Sequence, residues 1–229
     1  MKKALTLIVL IVTPSIIFAQ GTVVFNNSSA GLVQQWTSSS DPTLTSVPVG
    51  GGYVQLIAAP TGTPLPGPLG VYGSSGFLAG YSSLAGLLAA NPGWVVPYSF
   101  PYGLPEPQVP TPISGAPGRF NGGDLLIPPP AALNGADADY LVIGWTGPYA
   151  TYDAAYAADL ANPNSSFLGM SAIATTHTGD PARSPPGIAI PLGPTFEGLT
   201  LAPVVIPEPS TVLLAGLGAV LLPLFRQRG

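Results

Sequence analysis

The sequence contains no cysteine, and only 7% of its 229 residues are charged. Without cysteine the chain has no disulfide bridge, no zinc–thiolate site and no cysteine nucleophile. Basic residues are also scarce, because four of the six lysines and arginines lie at the two ends of the chain. Residues 20 to 205 keep two arginines against nine acidic residues. Binding to nucleic acid needs clustered lysine and arginine, so we expect no nucleic-acid partner.

Glycine and proline are abundant, with 29 residues of each, and such a share is typical of low-complexity chains. Leucine, isoleucine, valine and phenylalanine nevertheless make up 45 of the 186 residues from 20 to 205. That fraction exceeds the roughly 20% below which a chain cannot bury enough apolar surface to fold. The composition therefore predicts one folded domain with a modest core and long loops.

Residues 1 to 19 have the pattern of a secretory signal peptide. Lys2 and Lys3 form the charged start, an apolar stretch follows, and small Ala19 suits the position before a cleavage site. We predict cleavage between Ala19 and Gln20 by signal peptidase. The apolar stretch is short and is broken by a proline, which argues against an uncleaved membrane anchor.

The end of the chain, residues 207–229, has three parts. It begins with a Pro-Glu-Pro motif, continues with the charge-free segment 212–225 and ends with two arginines. The motif residues are Pro207, Glu208 and Pro209, and the arginines are Arg226 and Arg228. A helix of 14 residues is about 21 Å long, which is shorter than the roughly 30 Å hydrocarbon core of a membrane. We therefore expect a transient association with the inner membrane. The arginines favour the cytoplasmic side, which leaves the extended, proline-flanked motif at the outer face, where an enzyme can bind it.

This tail resembles the PEP-CTERM sorting signal, in which Pro-Glu-Pro precedes a short span rich in Leu, Gly and Ala and an arginine-rich end. The resemblance covers about 25 of the 229 residues, all at the C-terminus. It implies a Gram-negative host that makes extracellular polysaccharide, and processing by exosortase, a membrane transpeptidase with a catalytic cysteine. A second copy of the motif, Pro105-Glu106-Pro107, has no apolar span after it.

The body, residues 20–201, is predicted to be a mainly β, sandwich-like domain, because short β-prone segments alternate with Gly/Pro/Ser turns. The predicted strands are 22–25, 32–36, 53–58, 140–146, 171–176 and 195–201. The run 140–145 is apolar without alternation, which is typical of a strand buried on both faces. Two short helices are predicted at 83–90 and 151–160, the second with Tyr152, Tyr156 and Leu160 on one face.

Prolines concentrate between residues 92 and 130, and this density favours polyproline II and loops over the interior of a sheet. We interpret the stretch as a long insertion within one domain. Residues 202–206 are predicted to form an extended stalk that leads into the sorting segment.

His177 is the single histidine of the chain, and Asp180 follows three residues later. A hydrolytic triad also needs an activated serine, but the sequence has no Gly-x-Ser-x-Gly motif. We therefore predict a solvated loop histidine, no catalytic residue and no cofactor.

Asp137 and Asp139 offer oxygen ligands of the kind that calcium accepts. The complete calcium-loop pattern Asp-x-Asp-x-Asp-Gly is absent from the sequence, so we predict a solvated turn and no metal site, with weak calcium binding as the alternative.

The chain has three tryptophans and nine tyrosines. We expect most of them in the core, although exposed aromatic rings also stack on sugars. The leading hypothesis is an exported, non-enzymatic protein of the cell surface or extracellular matrix of a Gram-negative bacterium. The alternatives are a carbohydrate-binding module for exopolysaccharide and a secreted hydrolase. Aromatic rings coplanar on an exposed sheet face would favour the module, whereas an acidic cleft around His177 would favour the hydrolase.

Overall fold

The computed structural model describes residues 21–64, 81–99, 106–129, 131, 135–181 and 187–204. The predicted signal peptide, its cleavage site and the sorting segment 207–229 lie outside these residues. In the part of the chain that is described, no helix is both long and apolar enough to cross a membrane.

The fold is mainly β. The strands are β1 (Gly21–Asn26), β2 (Val33–Ser38), β3 (Asp41–Ser46), β4 (Gly52–Pro60), β5 (Tyr98–Ser99), β6 (Thr111–Pro112), β7 (Asn121–Ile127), β8 (Asp137–Thr146), β9 (Leu168–Met170), β10 (Ala174–His177), β11 (Ile190–Pro191) and β12 (Leu199–Leu201), and the helices are α1 (Leu84–Ala90) and α2 (Tyr152–Ala161). A five-stranded sheet has the order β10-β8-β4-β6, with β9 also on β8. A four-stranded sheet has the order β11-β1-β7-β5, and a three-stranded sheet has the order β12-β2-β3. None of these sheets closes into a barrel within the described residues.

The five-stranded sheet is built around the antiparallel pair of β4 and β8. Their register runs from Gly52 opposite Thr146 to Pro60 opposite Ala138. Every residue of β8 after Asp137 is buried, which confirms the prediction that the apolar run 140–145 is buried on both faces. Strands β9 and β10 each pair with part of the other edge of β8.

Alternate residues of β4 and β8 belong to two different cores. Leu56 and Val142 lie in one core, together with apolar side chains of the four-stranded and three-stranded sheets. Ile57 and Leu141 lie in the other core, together with side chains of α1 and α2. The five-stranded sheet therefore has the helices on one side and the other two sheets on the other.

Both helices begin where the sequence predicts. The Ser83 hydroxyl accepts a hydrogen bond from the Gly86 N–H at 3.0 Å, and the Thr151 hydroxyl accepts one from the Ala154 N–H at 3.2 Å. Both cap residues have extended backbone, as N-caps require. Local sequence therefore sets the start of each helix.

The buried face of α2 differs from the predicted one at a single position. Tyr152 and Tyr156 are buried as expected, but Leu160 is 40% exposed and Asp159 is buried instead. At 100° per residue, position 160 is rotated by about 80° from Tyr152, so it leaves the core face by the end of the helix. The prediction for Leu160 was wrong for this reason.

The six predicted strands correspond to β1, β2, β4, β8, β10 and β12. Strand β10 begins and ends later than predicted, at Ala174–His177, so His177 is the last residue of a strand and not a loop residue. The strand predicted at 195–201 begins only at Leu199.

The proline-rich stretch does not avoid the sheets. Strand β7 lies inside the four-stranded sheet, between β1 and β5, so the expectation of loops was wrong for this segment. The first half of β7, Asn121 to Asp124, is polar and gives no strand signal in the sequence. The second half is apolar and places Leu125 and Ile127 in the core. Tertiary pairing outweighs local propensity in such strands.

The earlier part of the same stretch runs along the edge of β4 that lies opposite β8. Val95 exchanges two backbone hydrogen bonds with Ala58, each 2.9 Å long. The side-chain oxygen of Gln108 accepts a hydrogen bond from the Leu56 N–H at 3.0 Å, and β6 pairs with the start of β4. Since proline has no N–H to donate, the segment satisfies this edge through separate contacts and not through a continuous ladder.

The first described residue of the body already lies within a sheet. Gly21 is buried and pairs with Ile127 of β7. A Cβ atom added at Gly21 would lie 2.5 Å from the Cβ of Thr178, so only glycine fits without a shift. The described part of the body therefore begins within a sheet, at the second residue after the predicted cleavage site.

Candidate functional sites

The described part of the internal Pro-Glu-Pro copy, Glu106 and Pro107, is part of the fold. The Glu106 carbonyl oxygen accepts a hydrogen bond from the Ser99 N–H at 3.0 Å, and Pro107 forms a β-bridge with Tyr98. A peptidase would have to break these contacts before it could bind this copy in extended form. The other copy, Pro207, Glu208 and Pro209, lies outside the described residues, as do Arg226 and Arg228.

The chain is anchored to the body as far as Val204. Ala202 exchanges two backbone hydrogen bonds with Leu168, of 2.8 and 3.0 Å, and the Val204 N–H donates to Asp159 at 2.9 Å. The described part of the predicted stalk, residues 202–204, therefore packs on the domain and is not a free spacer. Pro207 is the third residue after Val204, so the two lie at most about 10 Å apart.

Asp159 joins three separate segments of the chain. It is 3% exposed, and its two carboxylate oxygens accept hydrogen bonds from the N–H groups of Val204 at 2.9 Å and Asn164 at 3.1 Å. The Asn164 side chain in turn accepts a hydrogen bond from the Ser39 N–H at the tip of the β2–β3 hairpin. Burial raises the pKa of Asp159, and the N–H donors of Val204, Asn164 and Ser166 oppose that rise. The carboxylate thus ties the end of α2 to the hairpin and to the C-terminal segment.

His177 pairs with Asp137. The two residues lie opposite each other in the ladder between β10 and β8, and the distance from His177 Nδ1 to Asp137 Oδ1 is 2.9 Å. Their side chains are 58% and 61% exposed, so the pair adds little to stability. The aspartate beside the imidazole is therefore a cross-strand neighbour, whereas sequence proximity had suggested Asp180.

An open groove of about 530 Å³ lies beside His177. Its titratable lining residues are His177 and Asp180, and it is bordered by Ile188, which is 82% exposed. The hydroxyl group in the lining belongs to Thr178 and donates to the Ala136 carbonyl oxygen at 2.9 Å. The described lining contains one histidine and one acid but no serine, the nucleophile of a hydrolytic triad.

Asp139 has quite different surroundings from Asp137. It is 3% exposed, and its carboxylate accepts hydrogen bonds from the Gly62 N–H at 2.7 Å and the Thr175 hydroxyl at 2.6 Å. These bonds join the turn after β4 to β10. In the described part of the chain, no group of three or more histidine or acidic residues is arranged to hold a metal ion. Both aspartates lie in β8 and contact protein groups, so the prediction of a turn was wrong here, and weak calcium binding stays an untested alternative.

The described aromatic side chains lie mostly in the core. Trp94 and Trp145 are 2% and 0% exposed, and Trp145 makes ring contacts with Tyr53 and Tyr152 at centroid distances of 6.2 and 6.3 Å. Trp36 on β2 differs from the other two tryptophans, because it is only partly buried.

Where β12 pairs with β2, the three-stranded sheet has one face toward the core and one face outward. Val33 of β2 and Leu199 of β12 are 0% and 3% exposed and belong to the core. Successive residues of a strand point to opposite faces, so Gln34, Trp36 and Thr200 share the outward face. Gln34 lies directly beside Thr200 in the parallel register of β2 and β12.

A groove of about 340 Å³ opens on this outward face. Its polar lining residues are Gln34, Glu197 and Thr200, and a wall is formed by Ala172. Trp36 lies two residues along β2 from Gln34, about 7 Å further on the same face.

Asp159, Gln34 and Thr200 were not singled out by the sequence analysis. A signal existed for Asp159, because its spacing from Tyr152 and Tyr156 places it on their face of α2. No local signal existed for Gln34 and Thr200, which become neighbours only when β12 pairs with β2.

The structure thus brings together a C-terminal anchor around Asp159, a histidine–aspartate pair on an open groove, and a polar groove on an outward sheet face. Each combines residues that are distant in the sequence. No protein-family model, curated protein or solved structure matches this chain.

Proposed function

We propose that this chain is an exported, non-enzymatic protein of the cell surface or extracellular matrix of a Gram-negative bacterium. Signal peptidase removes residues 1–19, the tail holds the precursor transiently at the inner membrane, and exosortase cleaves at the motif Pro207-Glu208-Pro209. The observation that carries the proposal is the order of motif, uncharged apolar span and two arginines within the last 23 residues. The exported body is a sandwich-like β domain.

The extent of the folded body supports this division of the chain. Its first described strand begins at Gly21, two residues after Ala19, and Val204, the last described residue, is anchored to Asp159 shortly before Pro207. The regions assigned to targeting lie outside the described residues.

The contrast between the two Pro-Glu-Pro copies also supports the proposal. Glu106 is bound into a sheet edge and has no apolar span after it. Glu208 stands directly before such a span, which holds the motif at the membrane surface. The two copies therefore provide a matched pair for an experiment.

The surroundings of the titratable residues support a non-enzymatic role. Asp139 and Asp159 use both carboxylate oxygens in hydrogen bonds to the protein. His177 and Asp137 form a solvated pair. General acid–base catalysis needs such groups held beside a substrate with a pKa matched to the reaction.

The test is processing of the full-length chain in a Gram-negative host that has exosortase. We expect Glu208→Ala to leave an unprocessed precursor in the membrane fraction, while Glu106→Ala is processed like the wild type. Deletion of residues 226–229 should also leave a precursor, because the arginines set the orientation of the tail. Intact-mass spectrometry of the product reads out both cleavages. Wild-type processing of Glu208→Ala would contradict the proposal.

A further inference from the structure

We propose that the groove on the outward face of the three-stranded sheet binds a neutral polysaccharide. Trp36, which lies beyond the lining of the groove on the same face, is the stacking residue. Gln34, Thr200 and Glu197 in the lining are the hydrogen-bonding residues. This inference goes beyond the proposed sorting function, and its test does not depend on processing of the chain.

The position of Trp36 supplies the apolar part of such a site. An indole ring is a flat, rigid and partly polar surface, and a pyranose presents a flat face of C–H groups that such a ring can cover. Leu44, opposite Trp36 in the β2–β3 register, is 42% exposed. Directly opposite residues share a face, so Leu44 extends the apolar surface next to the indole.

The polar lining supplies groups that match sugar hydroxyls. The amide of Gln34 both donates and accepts, the hydroxyl of Thr200 does the same, and the carboxylate of Glu197 accepts. Gln34 and Thr200 are adjacent on neighbouring strands, so their positions are set by the sheet. A volume of about 340 Å³ lies within the range of small-ligand sites, roughly 300 to 1,000 Å³.

Charge selects the class of polysaccharide. Glu197 is the charged residue in the described lining, and the groove has no cationic lining residue there. A polyuronate would bring its carboxylates toward this acid without a counter-charge, which is unfavourable. The groove therefore favours an uncharged glycan over an anionic one.

The same arrangement indicates binding and not cleavage. Hydrolysis of a glycosidic bond ordinarily needs two carboxyl groups across the scissile bond. The described lining offers Glu197 alone.

Affinity electrophoresis tests the proposal on the full-length protein in a neutral detergent at pH 7. The native gels contain dextran, hydroxyethylcellulose or galactomannan as neutral polysaccharides, or alginate as the polyuronate. We expect at least one neutral polysaccharide to retard the wild type, and alginate to have no effect. Trp36→Ala should weaken the binding at least tenfold, and Gln34→Ala by severalfold.

The matched control is Thr45→Ala, an exposed position on the same hairpin but on the opposite face, which should bind like the wild type. A measurement on the wild type keeps the proposal testable if Trp36→Ala does not fold. Trp94 and Trp145 are 2% and 0% exposed, so acrylamide quenching reports mainly on Trp36, and bound glycan should reduce it. Absence of binding to all three neutral polysaccharides, stronger binding to alginate, or equal binding by folded Trp36→Ala would overturn the proposal.

Discussion

At the scale of single residues, polar groups buried in this body act as connectors. Asp139 joins a turn to β10. Asp159 joins the end of α2 to residue 204 and to Asn164, whose side chain contacts the hairpin. With no cysteine in the chain, disulfides cannot make such long-range ties. Backbone N–H groups are the donors in most of these contacts. Each carboxylate therefore also accepts a hydrogen bond from an N–H group that would otherwise lose its water partner on folding and gain none in return.

Replacement of Asp159 by alanine should destabilise the body by about 2 kcal/mol, because two backbone donors lose their acceptor. Denaturant unfolding of residues 20–205 measures this change. Hydrogen exchange of the Val204 amide should accelerate at the same time, since Asp159 is its acceptor.

The stability difference between wild type and Asp159→Ala should also depend on pH. Burial raises the pKa of Asp159 in the folded state. At pH values between the pKa of the unfolded state and that of the folded state, the folded protein therefore binds more protons at this residue than the unfolded protein does. Stability from this group therefore increases as pH falls toward the unfolded pKa, and it is lost as pH rises through the folded pKa. We expect the difference in free energy of unfolding between wild type and Asp159→Ala to increase as the pH is lowered from 7 to 4. A decrease would contradict burial as the cause of the raised pKa.

At the scale of elements, the helices are specified locally and most of the short strands are not. Each helix has a serine or threonine cap at its start and an asparagine at its end. Strands such as β5, β6 and β11 consist of two residues, and a two-residue strand exists only through its partner. The proline-rich stretch shows the same dependence, because its contacts complete the edge of β4.

The start of α2 provides a test at this scale. Thr151→Ala removes the side-chain acceptor of the Ala154 N–H and should cost about 1 kcal/mol of stability. Thr151→Ser keeps the hydroxyl oxygen and should cost much less. Equal midpoints of chemical unfolding for wild type and Thr151→Ala would show that packing of Tyr152 and Tyr156 alone holds the helix.

At the scale of the whole molecule, the body depends on packing against both faces of the five-stranded sheet. One face meets the other two sheets and the second face meets α1 and α2. The acidic charge of the body is spread over several elements, and Asp139 and Asp159 are internally bonded. Cohesion therefore comes from apolar burial and hydrogen bonds.

Thermal unfolding with calcium and with chelator tests this account. We expect residues 20–205 to unfold cooperatively, with the same midpoint in excess calcium and in EDTA. Asp139 has both oxygens engaged by protein donors, and metal that binds only the folded state would raise the midpoint. An increase of several degrees in calcium would show that Asp137 and Asp139 form a metal site after all.

The sequence by itself was sufficient for features that depend on neighbours along the chain. Both helix starts follow from capping residues, and the burial of β8 follows from its unbroken apolar run. The absence of cysteine likewise excluded disulfides, and the alternation of short β-prone segments with turns favoured a mainly β fold. These features are readable because capping, hydrophobic periodicity and turn formation act over a few residues.

Only the tertiary structure decided which distant residues meet. It placed β7 of the proline-rich stretch inside a sheet, paired His177 with Asp137, packed residues 202–204 on Asp159 and left Trp36 partly exposed while Trp94 and Trp145 were buried. Each outcome depends on strand order and register. Because register determines which side chains face the core, and pairing between strands is set by the packing of the whole domain, no local pattern could reveal these contacts.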